Sequence, residues 1–162
     1  MSTDAQLTAQ RLTLALYQPD IPQNAGTMLR ACACLGVNAA IIEPAGFPVS
    51  DRHFRRSGMD YLDQVDIARH VSFAAFEDWR HAAGRRLVLL TTTAAEPYTQ
   101  FVFHPGDVLM VGRESAGAPA QVHAAADARI VIPIRADLRS LNVAVAAAMA
   151  LGEALRQTGG YR

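Results

Sequence analysis

The sequence predicts an α/β fold, a mostly parallel sheet flanked by helices, and three observations lead to it. Short apolar runs end in turn residues, stretches of helical periodicity separate them, and the two kinds of segment alternate along the chain. Strands buried on both faces read as continuous apolar runs, and intervening helices supply the crossovers that parallel pairing needs. The first run, Leu12 to Tyr17, is ended by Gln18, Pro19 and Asp20. After Pro22, the residues Ala25, Met28, Leu29, Cys32 and Leu35 recur at helical spacing until Gly36 stops them, while Gln23, Thr27 and Arg30 share another face. Ala39 to Ile42 is the second strand, and Leu87 to Leu90, Val108 to Val111 and Ile130 to Ile134 read as three more. From Ser140 to Leu151 no charged residue occurs, and apolar side chains surround the predicted helix axis. Such a helix must be covered on more than one side, either within one subunit or at a subunit interface.

Composition narrows the function classes. The chain has 162 residues, 51% of them hydrophobic and 19% charged, with 15 acidic and 15 basic side chains. That is too apolar and too evenly charged for disorder, and no apolar stretch reaches the ~20 residues of a membrane span. About 70% of the surface of a chain this size is buried on folding, enough for one substantial core. No linker, repeat or low-complexity tract divides residues 1–162, so a single domain is expected. The amino-terminal MSTDAQLTAQR lacks the basic start and apolar stretch of a secretory signal, which gives a cytoplasmic expectation. Cys32 and Cys34, two apart on a helix, point to different sides and read as reduced thiols. Every basic residue is arginine, whose planar fork suits phosphates and bases.

The common α/β chemistries lack their signatures. No G-x-G-x-x-G follows the first strand, a Walker loop would need a lysine, and no G-x-S-x-G elbow is present. The five histidines form no i, i+4 pair, so no metal site is expected. Three polar clusters remain beside predicted strand ends, where open α/β sheets place their sites: Asn24 to Arg30, Gly112 to Gly117, and Ile132 to Asn142. Gly112 suits a backbone closely approached by a ligand, and an ordinary glycine-rich turn explains it as well. Ser140 is placed to cap the final helix, with Asn142 satisfying its first turn.

Taken together and in order, the clusters resemble the SpoU branch of the SPOUT RNA methyltransferases. Its motifs N-x-G-x-x-x-R, G-x-E-x-x-G and I-P-(x)n-S-L-N-x-x-x-A stand here as Asn24, Gly26 and Arg30; as Gly112, Glu114 and Gly117; and as Ile132, Pro133, Ser140, Leu141, Asn142 and Ala146. The stretches YQPDIPQNAGTMLR, IIEPAGFP and RRSGMDY are similar to those of members that methylate the 2′-hydroxyl of the wobble nucleotide, cytidine or uridine 34, of tRNA. The resemblance implies a carboxy-terminal deep trefoil knot, a homodimer, and S-adenosylmethionine held largely by backbone around Leu90, Gly112, Ile132, Ser140 and Leu141. Knotting lies outside what general topology rules would supply. It further implies that Arg30 activates the ribose hydroxyl, with Glu114 as the partner that directs Arg30 and with Asn24 and Asn142 orienting the reacting groups. The basic cluster of Arg52, His53, Arg55 and Arg56, with Phe54 between them, and Arg139 beside the third motif, would contact the anticodon loop, Phe54 by stacking. Methylation of another tRNA or rRNA ribose, and RNA binding without catalysis, are the competing readings.

Overall fold

The computed structural model describes residues 11–48 and 52–161, so the reading of the amino-terminal segment as signal-free falls mostly outside the described residues. The chain runs β1 (Thr13–Tyr17), α1 (Pro22–Leu35), β2 (Asn38–Ile42), α2 (Arg52–Gly58), a 3-10 helix (Met59–Gln64), β3 (Ile67–His70), α3 (Phe73–Ala82), β4 (Leu87–Leu90), β5 (Glu96–Pro97), β6 (Val108–Val111), α4 (Ala120–Ala125), β7 (Ala128–Val131) and α5 (Val143–Thr158). Seven strands form one sheet in the order β3-β2-β1-β6-β4-β7-β5, and every pairing is parallel. All the strand carboxyl ends therefore lie along one edge of the sheet.

Successive strand residues face opposite sides, and each side has its own core. Leu14, Leu16, Ile41, Val88, Leu109, Val111 and Ile130 face α1, α2 and α5, where Met28, Leu29, Phe54, Leu151 and Leu155 meet them. Ala15, Tyr17, Ile42, Leu87, Leu89 and Met110 face α3 and α4 through Phe76 and Val122. Full burial of a side chain of this kind stabilises the fold by about 1.5–3 kcal/mol, which explains why the central strands are almost wholly apolar, with Thr13 at the start of β1 a buried polar residue satisfied by Arg85. Gly36 and Gly159, both left-handed at φ near 68° and 67°, end α1 and α5. Gly26 has a different duty: a Cβ there would stand 2.5 Å from the carbonyl oxygen of Phe54, so its absence lets α2 lie directly on α1.

The amino-terminal edge of the sheet is fastened by ion pairs that each bury one partner. Arg80, 3% exposed, binds Glu77, Asp127 at 2.9 Å and the Arg85 carbonyl at 3.1 Å, while Asp127 also accepts the Leu87 amide. Asp107, 1% exposed, takes both forks of Arg86 at 2.8 and 2.7 Å and accepts the His104 amide. The two buried charges, Arg80 and Asp107, are each bound on several sides, as a buried charge must be.

Several expectations need correction. The strand read at Ile130 to Ile134 is Ala128–Val131, because its ladder with β4 closes at Ile130 and Pro133 has no N–H to extend pairing. Strands β3 and β5 escaped the reading: IARH is a half-buried edge without an apolar run, and Glu96–Pro97 is two residues long. The final helix begins at Val143 and reaches Thr158, and its cap is Asn142 instead of Ser140. Cys32 and Cys34 are free thiols, with burial pushing the Cys32 thiol up to about 12. Among the described residues no helix is long and apolar enough to cross a membrane.

Candidate active site

At the carboxyl edge, the ends of β4, β6 and β7 and the start of α5 surround an open cleft of about 800 Å³. Leu90, Gly112, Ile132, Ser140 and Leu141, the residues expected at the cofactor, all line it, as do Asn24, Glu114, Asn142 and Arg139. Three segments far apart in sequence thus meet at one place, for a simple reason: in a parallel sheet, each strand delivers its following loop to the same edge.

The loop after β6 folds back on itself. Gly117, left-handed at φ +66°, donates its N–H to the Arg113 carbonyl at 2.7 Å, and the Arg113 N–H returns to the Gly117 carbonyl at 3.2 Å. A Cβ on Gly112 would stand 2.5 Å from the Ala118 nitrogen and 2.6 Å from the Gly117 carbonyl carbon. The close approach that Gly112 permits is therefore made by its own chain.

Asn142 joins the first and third motifs. Its Nδ2 donates to Asn24 Oδ1 at 3.1 Å, while its Oδ1 accepts from the backbone of Ala144 at 2.8 Å and Val145 at 3.3 Å. One side chain caps α5 and ties it to α1. Between Val131 and Asn142 the chain runs as an exposed loop, apart from buried Ile132.

Glu114 is placed differently from expectation. Among the described residues it makes no ion pair with Arg30; its Oε2 accepts the Asp20 N–H at 3.1 Å, and its own N–H donates to Asp20 Oδ1 at 3.2 Å. Ser115 Oγ donates to Asp20 Oδ2, and Arg113 Nη2 lies 3.7 Å from the same oxygen. Hydrogen bonding to the Glu114 side chain, then to Ser115 and the Glu114 backbone, holds the Asp20 carboxyl down at about 2 against its partial burial. Burial first, and then the neighbouring Asp20, push Glu114 up. The second Glu114 oxygen, Oε1, is buried with no hydrogen-bond partner.

Arg30 is exposed on α1, outside the cleft wall, with its guanidinium 5.1 Å from the centre of the Tyr61 ring. Arg52, Arg55 and Arg56 are exposed on α2, also outside the cleft. Phe54 is 4% exposed and packs against Phe47 with ring centres 5.3 Å apart, so it is core and does not offer a stacking face. Sequence reasoning assigned no role to Asp20 or to Thr91, which lines the cleft and bonds His123 Nε2 at 3.1 Å. Their position directly after β1 and β4 was the available signal. Among the described residues no group of three His, Cys, Asp or Glu side chains could hold a metal ion.

A parallel sheet whose carboxyl-edge cleft is built from these three motifs defines a class, and comparison with known proteins agrees. Residues 11–152 match the SpoU rRNA Methylase family, and the chain belongs to that family. A relative from Beijerinckia indica subsp. indica, named tRNA (cytidine(34)-2′-O)-methyltransferase, is 75% identical over 146 residues, covering 90% of this chain and 91% of its own. One of the same name from Escherichia coli is 38% identical, covering 91% and 94%. A solved structure described as giving insights into the 2-OH methylation of C/U34 on tRNA superposes with a TM-score of 0.86 at 41% identity, covering 91% of this chain and 95% of its own. The SpoU methyltransferase AviRb from Streptomyces viridochromogenes, in complex with the cofactor AdoMet, gives 0.84 at 29% identity, covering 92% of this chain and 61% of its own.

Proposed function

We propose that this chain transfers a methyl group from S-adenosylmethionine to the ribose 2′-hydroxyl of the wobble nucleotide, cytidine or modified uridine 34, of tRNA. The observation that carries the reading is the meeting of all three motifs around one cleft, with Asn24 and Asn142 bonded across 118 positions of sequence. The names of the relatives point to the same nucleotide. A tRNA substrate accords with a cytoplasmic protein.

The cleft suits the cofactor. Its volume lies in the range of small-molecule sites, and the buried, unpartnered Glu114 Oε1 is an acceptor that a bound donor would satisfy. Leu90, Gly112, Ile132, Ser140 and Leu141 would hold it, largely through backbone groups. When bound, S-adenosylmethionine supplies an electrophilic methyl on a sulfonium. The chain must then place the hydroxyl in line and stabilise the oxygen as it loses its proton. Asn24 and Asn142 fix the cleft mouth, and Arg30, a cation that donates and does not accept, stabilises the developing alkoxide. An RNA phosphate or water takes the proton.

Two features of architecture accompany this reading. The chain leaves β7, beyond β4, and returns in α5 to pack on α1 and β6, a path that supports threading of the carboxy-terminal segment into the trefoil knot. Val145 and Met149 stand 50% and 39% exposed one turn apart on α5, an apolar face that supports a homodimer.

Incubation with labelled S-adenosylmethionine and tRNA lacking wobble 2′-O-methylation, followed by nucleoside mapping, tests the assignment. A methyl at the ribose of nucleotide 34 is expected; a methyl elsewhere, or none, overturns it. The basic helix α2 supports a role in tRNA binding, set against α1 by the contact at Gly26. Arg55→Gln with Arg56→Gln is expected to lower tRNA affinity and to reduce the slope of log K against log salt by about 1.4–1.8, one phosphate contact per arginine. An unchanged slope places the RNA on another surface.

A further inference from the structure

We infer that Asp20 is a positioning residue, which holds Glu114 in the cleft with one carboxylate oxygen occupied and the other kept for a ligand. The inference rests on the proposed methyltransferase reading and adds to it a residue outside the three motifs.

The geometry is reciprocal. The Asp20 backbone binds the Glu114 side chain, and the Asp20 side chain binds the Glu114 backbone, at 3.1 and 3.2 Å. Two such bonds fix both position and direction of the glutamate, which a single contact could not do. The remaining Asp20 oxygen is taken by the Ser115 hydroxyl, with the Arg113 guanidinium alongside, and Arg113 Nη1 is in turn anchored on Gln18 Oε1 at 3.3 Å. Behind Asp20 the backbone is equally determined. Gly46 donates its N–H to the Pro19 carbonyl at 2.8 Å, and a Cβ on Gly46 would stand 2.9 Å from the Asp20 Cβ, so this loop rests directly on the aspartate. Asp20 is thereby clamped between the loop after β2 and the loop after β6.

The result for Glu114 is unequal treatment of its two oxygens. Oε2 is bound to the Asp20 amide; Oε1 is buried and has no partner. A buried acceptor left unmade costs about 1–3 kcal/mol, and such a group persists where a bound molecule completes it. The complement is an N–H or O–H donor, which both an amino-acid portion of the cofactor and a ribose carry. Asp20 does not line the cleft, whereas Glu114 does, so Asp20 acts through Glu114.

The test is a double-mutant cycle in the full-length protein, using Asp20→Ala, Glu114→Gln and the pair. If Asp20 acts through Glu114, Asp20→Ala lowers kcat by about tenfold with the tRNA KM changed less than about threefold, and the double variant is no slower than Glu114→Gln alone. Asp20→Asn, which retains an acceptor for the Glu114 N–H, keeps most of the rate; should Asp20→Ala fold poorly, Asp20→Leu, which fills similar volume without an acceptor, takes its place in the cycle. Losses that multiply in the double variant overturn the inference, as does an unchanged kcat in Asp20→Ala. A second readout needs no tRNA: the titration of the Glu114 carboxyl, followed by carbon NMR on carboxyl-labelled glutamate. Removal of the neighbouring anion in Asp20→Asn moves its midpoint to lower pH, and an unmoved midpoint counts against the inference. A wild-type protein that methylates no tRNA, with the midpoint shift intact, refutes the function and leaves the positioning role standing. The cofactor and ribose arms separate by calorimetry, since a donor from S-adenosylmethionine makes Glu114→Gln weaken cofactor binding and a donor from the ribose does not.

Discussion

Arg30→Ala lowers kcat for methyl transfer to tRNA by about 100- to 1,000-fold, the loss expected when one donor to a developing oxyanion is removed. The side chain is exposed on α1 and lines no part of the cleft, so its removal leaves the two cores and the cofactor-lining loops untouched. S-adenosylmethionine affinity therefore changes less than about twofold, and the whole effect falls on the reaction with RNA. Arg30→Lys restores little. The guanidinium stands over the Tyr61 ring, and a planar group held on an aromatic face keeps its direction where an ammonium on a flexible stem does not. Single-turnover methylation with saturating tRNA, beside calorimetric cofactor binding, separates these contributions. A near-normal rate in either variant assigns hydroxyl activation to another group.

Gly112→Ala acts on the other half of the reaction and removes cofactor binding. The added methyl would lie 2.5 Å from the Ala118 nitrogen, and that backbone cannot retreat cheaply while Gly117 is tied to the Arg113 carbonyl at 2.7 Å. Opening the loop costs about 1–3 kcal/mol and displaces the segment that carries Glu114. The affinity for S-adenosylmethionine falls at least about tenfold, with a drop in Tm of about 2–10 °C for a chain of this size. Gly152→Ala is the matched control: its nearest neighbour is the Tyr161 hydroxyl at 3.2 Å, at the end of a largely exposed side chain. Calorimetry on both variants checks the pair of expectations, and equal cofactor affinity in the two would show that the loop yields without consequence.

Much of this architecture is legible in the chain because its signals are local. Helix α1 follows from five apolar residues at helical spacing and a terminal glycine, and the central strands follow from runs that must be buried on both faces. The cleft is legible because its contributors sit at strand ends, and a parallel sheet brings those ends together. What the sequence conceals is pairing across distance. The motif pattern suggests Arg30 as the partner of Glu114, yet Glu114 binds Asp20, 94 positions away, and no spacing rule specifies which acid meets which backbone. Phe54 shows a different failure. Inside a run of basic residues it looks like part of a nucleic-acid surface, although Phe54 and Gly58 recur at i, i+4 and both are buried. Strand β3 lacked a signal altogether, since an edge strand needs only one packed face and little apolar content.

The two edges of the sheet divide the labour of the molecule. Arg80, Arg86, Asp107 and Asp127 hold the amino-terminal edge, and no one of them lines the cleft, while residues 133–142 at the opposite edge are exposed. Such a chain can be rewritten at one end without loosening the other. Substitution of the exposed residues 134–139, between the motif positions Pro133 and Ser140, costs little stability, so these side chains can change without disturbing the scaffold. The fastened edge, in contrast, resists change where its charges are buried: loss of Asp127 and Glu77 strands Arg80, and loss of Arg86 strands Asp107.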